Sequence, residues 1–385
     1  MKMVILGAGA SFDWTYEYYP QDVIDVDEWR PPLANQLFDT RGVFRGILEG
    51  YQGAFSFINE IRLAPDVEEF FQQKWNFAKK YNNAVLMAKL FNVQYYLQDL
   101  LYQISERNRN IGTSNYTALL SSIYEYTEAK NEEVLIVSFN YDLLAEYAFS
   151  DVYGNSLIFE NIEEYISKKI KIIKPHGSCN WCSLLKGNNV EIMGSGPKTI
   201  DEFLLEDPES SLEIVEKLES QYVLNSPVRI GTNKSNNEEI PKNFFARNSA
   251  NYDCPTFPRM LLPYKEKDDV ILPPEHMSIL TSLLPEISEV LVIGWKGTEF
   301  KFLETLKEYI SNKIIKFTTV TARDFSIVTT LKDRLGHQHK YETFQHMVTP
   351  LNSSIVKTPS QFTPGGFSSY TISVNSSGYD NMFKF

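Results

Sequence analysis

Four short stretches carry the residue types that chemistry needs. Gly7-Ala8-Gly9-Ala10-Ser11 follows the apolar run MVIL (3–6) directly. A strand that turns through small residues lets backbone N–H groups approach a phosphate. VLIVS (134–138) runs into Phe139-Asn140-Tyr141-Asp142, an amide and a carboxylate two residues apart. IKII (170–173) runs into Lys174-Pro175-His176-Gly177-Ser178. His176 there has the one side chain whose ordinary pKa suits proton transfer near neutrality. EVLVIG (289–294) ends in Gly294-Trp295-Lys296-Gly297. In an open parallel sheet, ligands sit beyond the carboxyl ends of the strands, so four strands delivering such residues there point to one shared site.

Each piece taken alone has a plainer reading. The glycine run lacks the third glycine of a dinucleotide fingerprint, since Phe12 stands there, although Asp25 and Asp27 lie near the distance expected of a ribose-binding acid. It also lacks the Gly-Lys-Ser/Thr of a P-loop. Small residues equally serve a tight strand-to-helix turn. Asn140 and Asp142 equally serve as turn or helix-cap residues, His176 as a structural histidine, and Gly294-Trp295 as helix–sheet packing. The joint occurrence favours a site.

The elements that must position these residues follow from hydrophobic patterning. MVIL, VLIVS, IKII, EVLVIG and IIKFTTV (314–320) are nearly continuous apolar runs, which suits strands buried on both faces of a parallel sheet. Residues 67–104 repeat apolar positions at three- and four-residue spacing, as do 117–130. That is longer than a crossover helix requires. The expectation is an α/β, doubly wound parallel sheet, Rossmann-like, carrying a large inserted helical subdomain over about 40–130 and an irregular insertion over about 180–285. The helix 301–313 should cross between the last two strands. One domain spans 1–349. From Pro350 to 385 the composition turns to Ser, Thr, Asn and Gly with scattered aromatics, a tail that could serve assembly through strand TISVN (371–375).

Composition excludes several classes. A net charge of −12 opposes general nucleic-acid or anionic-membrane binding. No run of about 18 apolar residues exists to span a membrane. No leader pattern precedes the first strand, and the chain reads as soluble and cytoplasmic. Three cysteines are too few for a disulfide framework.

With GAGAS, FNYD, KPHGS and the GW turn in this order, the chain resembles the sirtuins, and within them the sirtuin-like NAD-consuming domains of bacterial anti-phage systems. That resemblance implies NAD as substrate. It sets Gly7, Ala8, Gly9, Ala10 and Ser11 along the diphosphate, with Phe139, Tyr141, Gly177, Gly294 and Trp295 completing the cofactor site. It implies that Asn140 positions a water or ribose hydroxyl, that Asp142 holds the nicotinamide carboxamide, and that His176 is the general base. Deacylating sirtuins resemble one another in a zinc module with two Cys-x-x-Cys pairs. Here Cys179-Asn180-Trp181-Cys182 is the only pair and Cys254 has no partner at that spacing, so no zinc or other metal is expected. The favoured reaction is NAD hydrolysis to nicotinamide and ADP-ribose, in anti-phage defence. The alternatives are an NAD-dependent protein deacylase and a non-catalytic NAD or ADP-ribose sensor. The aromatics of the 350–385 tail point to a homo-oligomer in which tails or the helical insertion make subunit contacts, and the resemblance implies, for stand-alone chains of this size, a HerA-type motor ATPase partner.

Overall fold

The computed structural model describes residues 1–14, 29–40, 42–109, 114–154, 159–185, 200–216, 218, 221–224, 245–247, 253–263, 271–321, 326–344 and 367. Asp25, Asp27 and, apart from Phe367, the 350–385 tail lie outside them. Of Cys254 only the backbone is described.

The chain begins with β1 (Lys2–Leu6) and the short α1 (Ala8–Phe12). A helical run follows: α2 (Gly42–Leu48), α3 (Gln52–Phe55), α4 (Ile58–Ile61), α5 (Val67–Lys80), α6 (Ala84–Arg109) and α7 (Asn115–Lys130). Then come β2 (Val134–Ser138), α8 (Leu144–Val152), α9 (Glu164–Ser167) and β3 (Ile170–Ile173). A smaller sheet is built from β4 (Gly177–Leu184), β5 (Val223–Leu224), β6 (Phe245–Arg247) and β7 (Asp253–Met260), with α10 (Pro208–Glu216) between its strands. The chain returns through α11 (Pro274–Leu283), β8 (Glu289–Ile293), α12 (Phe300–Ile310), β9 (Lys316–Val320), α13 (Ser326–Leu335) and β10 (Lys340–Phe344).

All six strands of the main sheet pair in parallel, in the order β10-β9-β8-β1-β2-β3. The chain winds outward from β1 in one direction, returns to β8 on its other side and winds outward again. This is the doubly wound order, and its switch point lies between β1 and β8. The five apolar runs all form strands of this sheet. Alternate residues feed two cores: Val4 and Leu6 pack with α7 and α8, while Met3 and Ile5 pack with α11 and α12. Burial on both faces is why these strands read as continuous apolar runs.

The stretch 67–104 is two helices. Asp66 caps α5 by accepting the Glu69 backbone N–H at 2.9 Å, with Glu68 and Glu69 in the first turn and Lys79 and Lys80 in the last. Asn82, at φ 47°, turns the chain into α6. The 26-residue α6 is the axis of a separate core that also takes α2, α5 and the β4–β7 sheet. The helix at 115–130 differs in kind. Capped by Ser114 and stopped by Asn131 at φ 54°, α7 packs on the sheet itself and acts as the crossover to β2. The inserted helices are thus α2 to α6.

Candidate functional site

The first glycine loop and the Gly294 turn meet at the switch point, backbone against backbone. Gly7 N–H donates to the Ile293 carbonyl at 3.0 Å and Gly9 N–H to the Gly294 carbonyl at 2.9 Å. A Cβ on Gly294, whose φ is +60°, would sit 2.2 Å from Ala10 N. The glycines are therefore required by the approach of two loops, and two of the loop N–H groups serve that contact. Ala8 is exposed, whereas the Ala10 methyl is part of the sheet core.

Asn140 closes over this loop from the end of β2. Its Nδ2 donates to the Gly7 carbonyl at 3.0 Å and approaches the Ser11 hydroxyl at 2.9 Å and the Tyr116 hydroxyl at 3.2 Å. The Ser11 and Tyr116 hydroxyls are themselves 2.8 Å apart. A carbonyl can only accept, so the bond to Gly7 fixes which end of the amide is nitrogen. The other end, Asn140 Oδ1, is buried with no partner among the described residues. A buried acceptor left this way costs about 1–3 kcal/mol, so a ligand or water that donates to it gains directly. Tyr116 reaches Ser11 because Asn115 ties the start of α7 to the segment after α1, donating from its side chain to Asp13 O at 2.7 Å and from its backbone to Trp14 O at 2.8 Å.

Asp142 Oδ1 accepts the Leu144 N–H at 3.2 Å, in the turn that leads into α8. Its own carbonyl accepts from Lys174 Nζ at 2.6 Å. The His176 turn depends on Gly177, at φ +80°, where a Cβ would lie 1.9 Å from the Arg259 carbonyl oxygen. His176 is buried, and its ring contacts Phe139 and Tyr141. Phe139 stacks on Trp295 at 5.1 Å and 6° between planes, with Phe302 edge-on to both. The Trp295 indole donates to Glu299 Oε2, whose other oxygen lies 3.9 Å from His176 Nε2. That distance is too long for a hydrogen bond.

All the predicted site residues thus lie at the carboxyl end of the main sheet. Gly7, Ser11 and Asn140 are in direct contact; Phe139, Trp295 and His176 form a second, aromatic group. Sequence reasoning missed Tyr116, Glu146, Lys174 and Glu299. Lys174 lay inside a quoted motif, but a lysine beside a proline reads as surface, and nothing in the sequence pairs it with Glu146 on another element.

Among the described residues, no cluster of three or more His, Cys, Asp or Glu could hold a metal ion. Cys179 and Cys182 are both buried on β4, and burial pushes the Cys179 thiol well above its usual range. No described helix is long and apolar enough to cross a membrane.

No protein-family profile matches the chain, and no curated protein does. Three solved structures that it resembles are sirtuins. One, described by the structural basis of sirtuin substrate affinity, shares 14% identity over 89% of this chain and 88% of its own, with a TM-score of 0.34. A Sir2 in complex with an inhibitor, 2′-O-acetyl-ADP-ribose and a deacetylated peptide shares 13% over 98% and 94%, with a TM-score of 0.35. A Sir2 homologue in complex with NAD shares 10% over 89% and 82%, with a TM-score of 0.36. At these values the likeness assigns neither family nor activity. The doubly wound fold stands on its own strand order.

Proposed function

We propose that this chain binds NAD across the β1–β8 switch point and hydrolyses its nicotinamide–ribose bond. The observation that carries the reading is the buried Asn140 Oδ1, without a partner among the described residues and held over the glycine loop by three contacts from its own Nδ2. An acceptor fixed this firmly suits orienting a water or ribose hydroxyl through its proton.

The reaction asks little covalent chemistry of the protein. The C1′–N bond breaks with its electron pair going to nicotinamide nitrogen, which thereby becomes neutral. A water oxygen bonds to C1′, and its proton passes to His176 and then to solvent. The transition state resembles an oxocarbenium ion, as in glycoside hydrolysis. Asp142 would hold the nicotinamide carboxamide, and its carboxylate suits a ring that is cationic before cleavage. The Phe139–Trp295 stack gives His176 a dry, fixed wall, which favours orientation over bulk-water access. An anti-phage role and a motor ATPase partner belong to the same reading and rest on the sequence resemblance alone, and a homo-oligomer rests on the aromatics of the 350–385 tail.

The arrangement after His176 favours water over an acyl-lysine as the acceptor. A substrate peptide adding as a strand needs an open edge. From Gly177 to Ser183 every residue of β4 is buried; β7 lies along one side, β5 pairs with Trp181 and Cys182 on the other, and nearer His176 the Cys179 N–H is already taken by the Tyr141 carbonyl. The test is product analysis of NAD incubated with the full-length protein, with and without an acetyl-lysine peptide. The account expects nicotinamide and ADP-ribose in equal amounts without peptide. Nicotinamide release only with peptide, accompanied by an acetylated ADP-ribose, would make the chain a deacylase. NAD binding without release under either condition would make it a sensor.

A further inference from the structure

The charged pair buried behind the site has no part in the chemistry above. Lys174 and Glu146 are both wholly buried, with Nζ and Oε1 2.6 Å apart. The Lys174 ammonium has three N–H donors and three acceptors: Asp142 O at 2.6 Å, Glu146 Oε1 at 2.6 Å and Ser178 Oγ at 2.8 Å. Those acceptors lie on three pieces of chain: the loop after β2, helix α8 and strand β4. Beside them the Cys179 N–H donates to the Tyr141 carbonyl at 2.8 Å, and the Gly177 N–H to the Lys174 carbonyl at 2.9 Å.

A pair like this is a poor device for stability. Removing two charges from water costs several kcal/mol per ion, and an apolar pair of similar volume is often as stable or more so. Glu146 displays that cost: burial raises its carboxyl above the usual range, against the opposing pull of Lys174. Its Oε2 is buried with no partner among the described residues. What an apolar pair could not do is hold two loops by directed hydrogen bonds.

We propose that Lys174 is a positioning residue, which locks the Asn140–Asp142 loop and the His176–Ser178 turn in one register through its bonds to Asp142 O and Ser178 Oγ, with Glu146 as its counter-charge. Tetrahedral geometry at Nζ makes the three acceptors a fixed set, so the loops cannot shift independently. The proposal deepens the NAD reading, but its main readout is local backbone order, which needs no substrate.

The test compares full-length wild type, Lys174→Met/Glu146→Leu and Ser178→Ala by thermal unfolding, hydrogen–deuterium exchange and nicotinamide release from NAD. The double variant removes both charges at similar volume; the single variant cuts one arm and leaves the ion pair. In the double variant, amide exchange over 139–142 and 176–179 should quicken about tenfold or more while the rest of the chain is unchanged. The kcat for nicotinamide release should fall by about tenfold to a hundredfold with KM little altered, since misplacement by about an ångström costs that much. Ser178→Ala should quicken exchange over 176–179 alone. Wild-type exchange at both segments in the double variant overturns the proposal, as does exchange that rises uniformly along the chain. If the double variant does not fold, Ser178→Ala decides alone, and unchanged exchange there overturns it. A wild type that releases no nicotinamide defeats the NAD reading and leaves the exchange result to decide the role of Lys174.

Discussion

Asn140 depends on its neighbours more than its place after a strand suggested. Its amide is held by the Gly7 carbonyl and two hydroxyls, and one of these belongs to Tyr116, 24 residues upstream on α7. Tyr116→Phe deletes that hydroxyl and keeps the ring. The expected cost in stability is about 1 kcal/mol, read from the melting temperature. Nicotinamide release should fall by about tenfold as Asn140 loses its third contact. Full turnover in that variant would mean the hydroxyl does not hold the amide. At this scale Asn140, Asp142 and His176 were legible because each follows a buried β-run within four residues. Tyr116, Glu146 and Glu299 were not, because each sits mid-helix or at a helix start, where its residue type is unremarkable until another element comes against it.

Elements explain why the glycines cannot change. Gly294→Ala would put a methyl against Ala10 N at 2.2 Å and force an L-residue into φ +60°. The backbone strain alone is about 1–3 kcal/mol, and the clash between β1 and β8 loops adds to it. A melting temperature depressed by several degrees is expected, and an unchanged one would show that the loops can separate freely. His276 on α11 supplies a pH dependence. Its Nε2 bonds the Ile162 carbonyl at 2.9 Å, and burial lowers its pKa from 6.5. The unfolded state then takes up the proton more readily, so the stability His276 contributes is present above about pH 6.5 and is lost as pH falls through its lowered folded value. Melting temperatures measured downward from about pH 7 should decline, and His276→Gln should flatten that decline. The five apolar strands were legible, whereas β10 and the β4–β7 sheet were not. Strand β10 is an edge carrying Lys340 and Glu342, the kind of polar edge that discourages further pairing. Strand β4 reads GSCNWCSL, yet it is buried because Asn180 bonds Tyr165 and Ser183 bonds the Gln221 carbonyl.

The whole molecule ties its far end to its first loop. Phe367 is 2% exposed and meets the Tyr116 ring edge-on, 5.5 Å between centroids, within the core under β1 and β2. Phe367, the one described residue of the 350–385 tail, thus joins the chain's own core. Phe367→Ala should cost about 3–5 kcal/mol, as large-to-small core changes do. Unfolding in denaturant measures it, and a loss below about 1 kcal/mol would mean Phe367 is not packed there in solution. Truncation at Pro350 removes the same ring and should lower stability alike. Hydrolysis of NAD with His176 as the base is tested most directly by nicotinamide release by His176→Ala. With NAD binding retained, release should drop by about a hundredfold to ten-thousandfold, the usual contribution of a general base. Release at the wild-type rate would contradict the account.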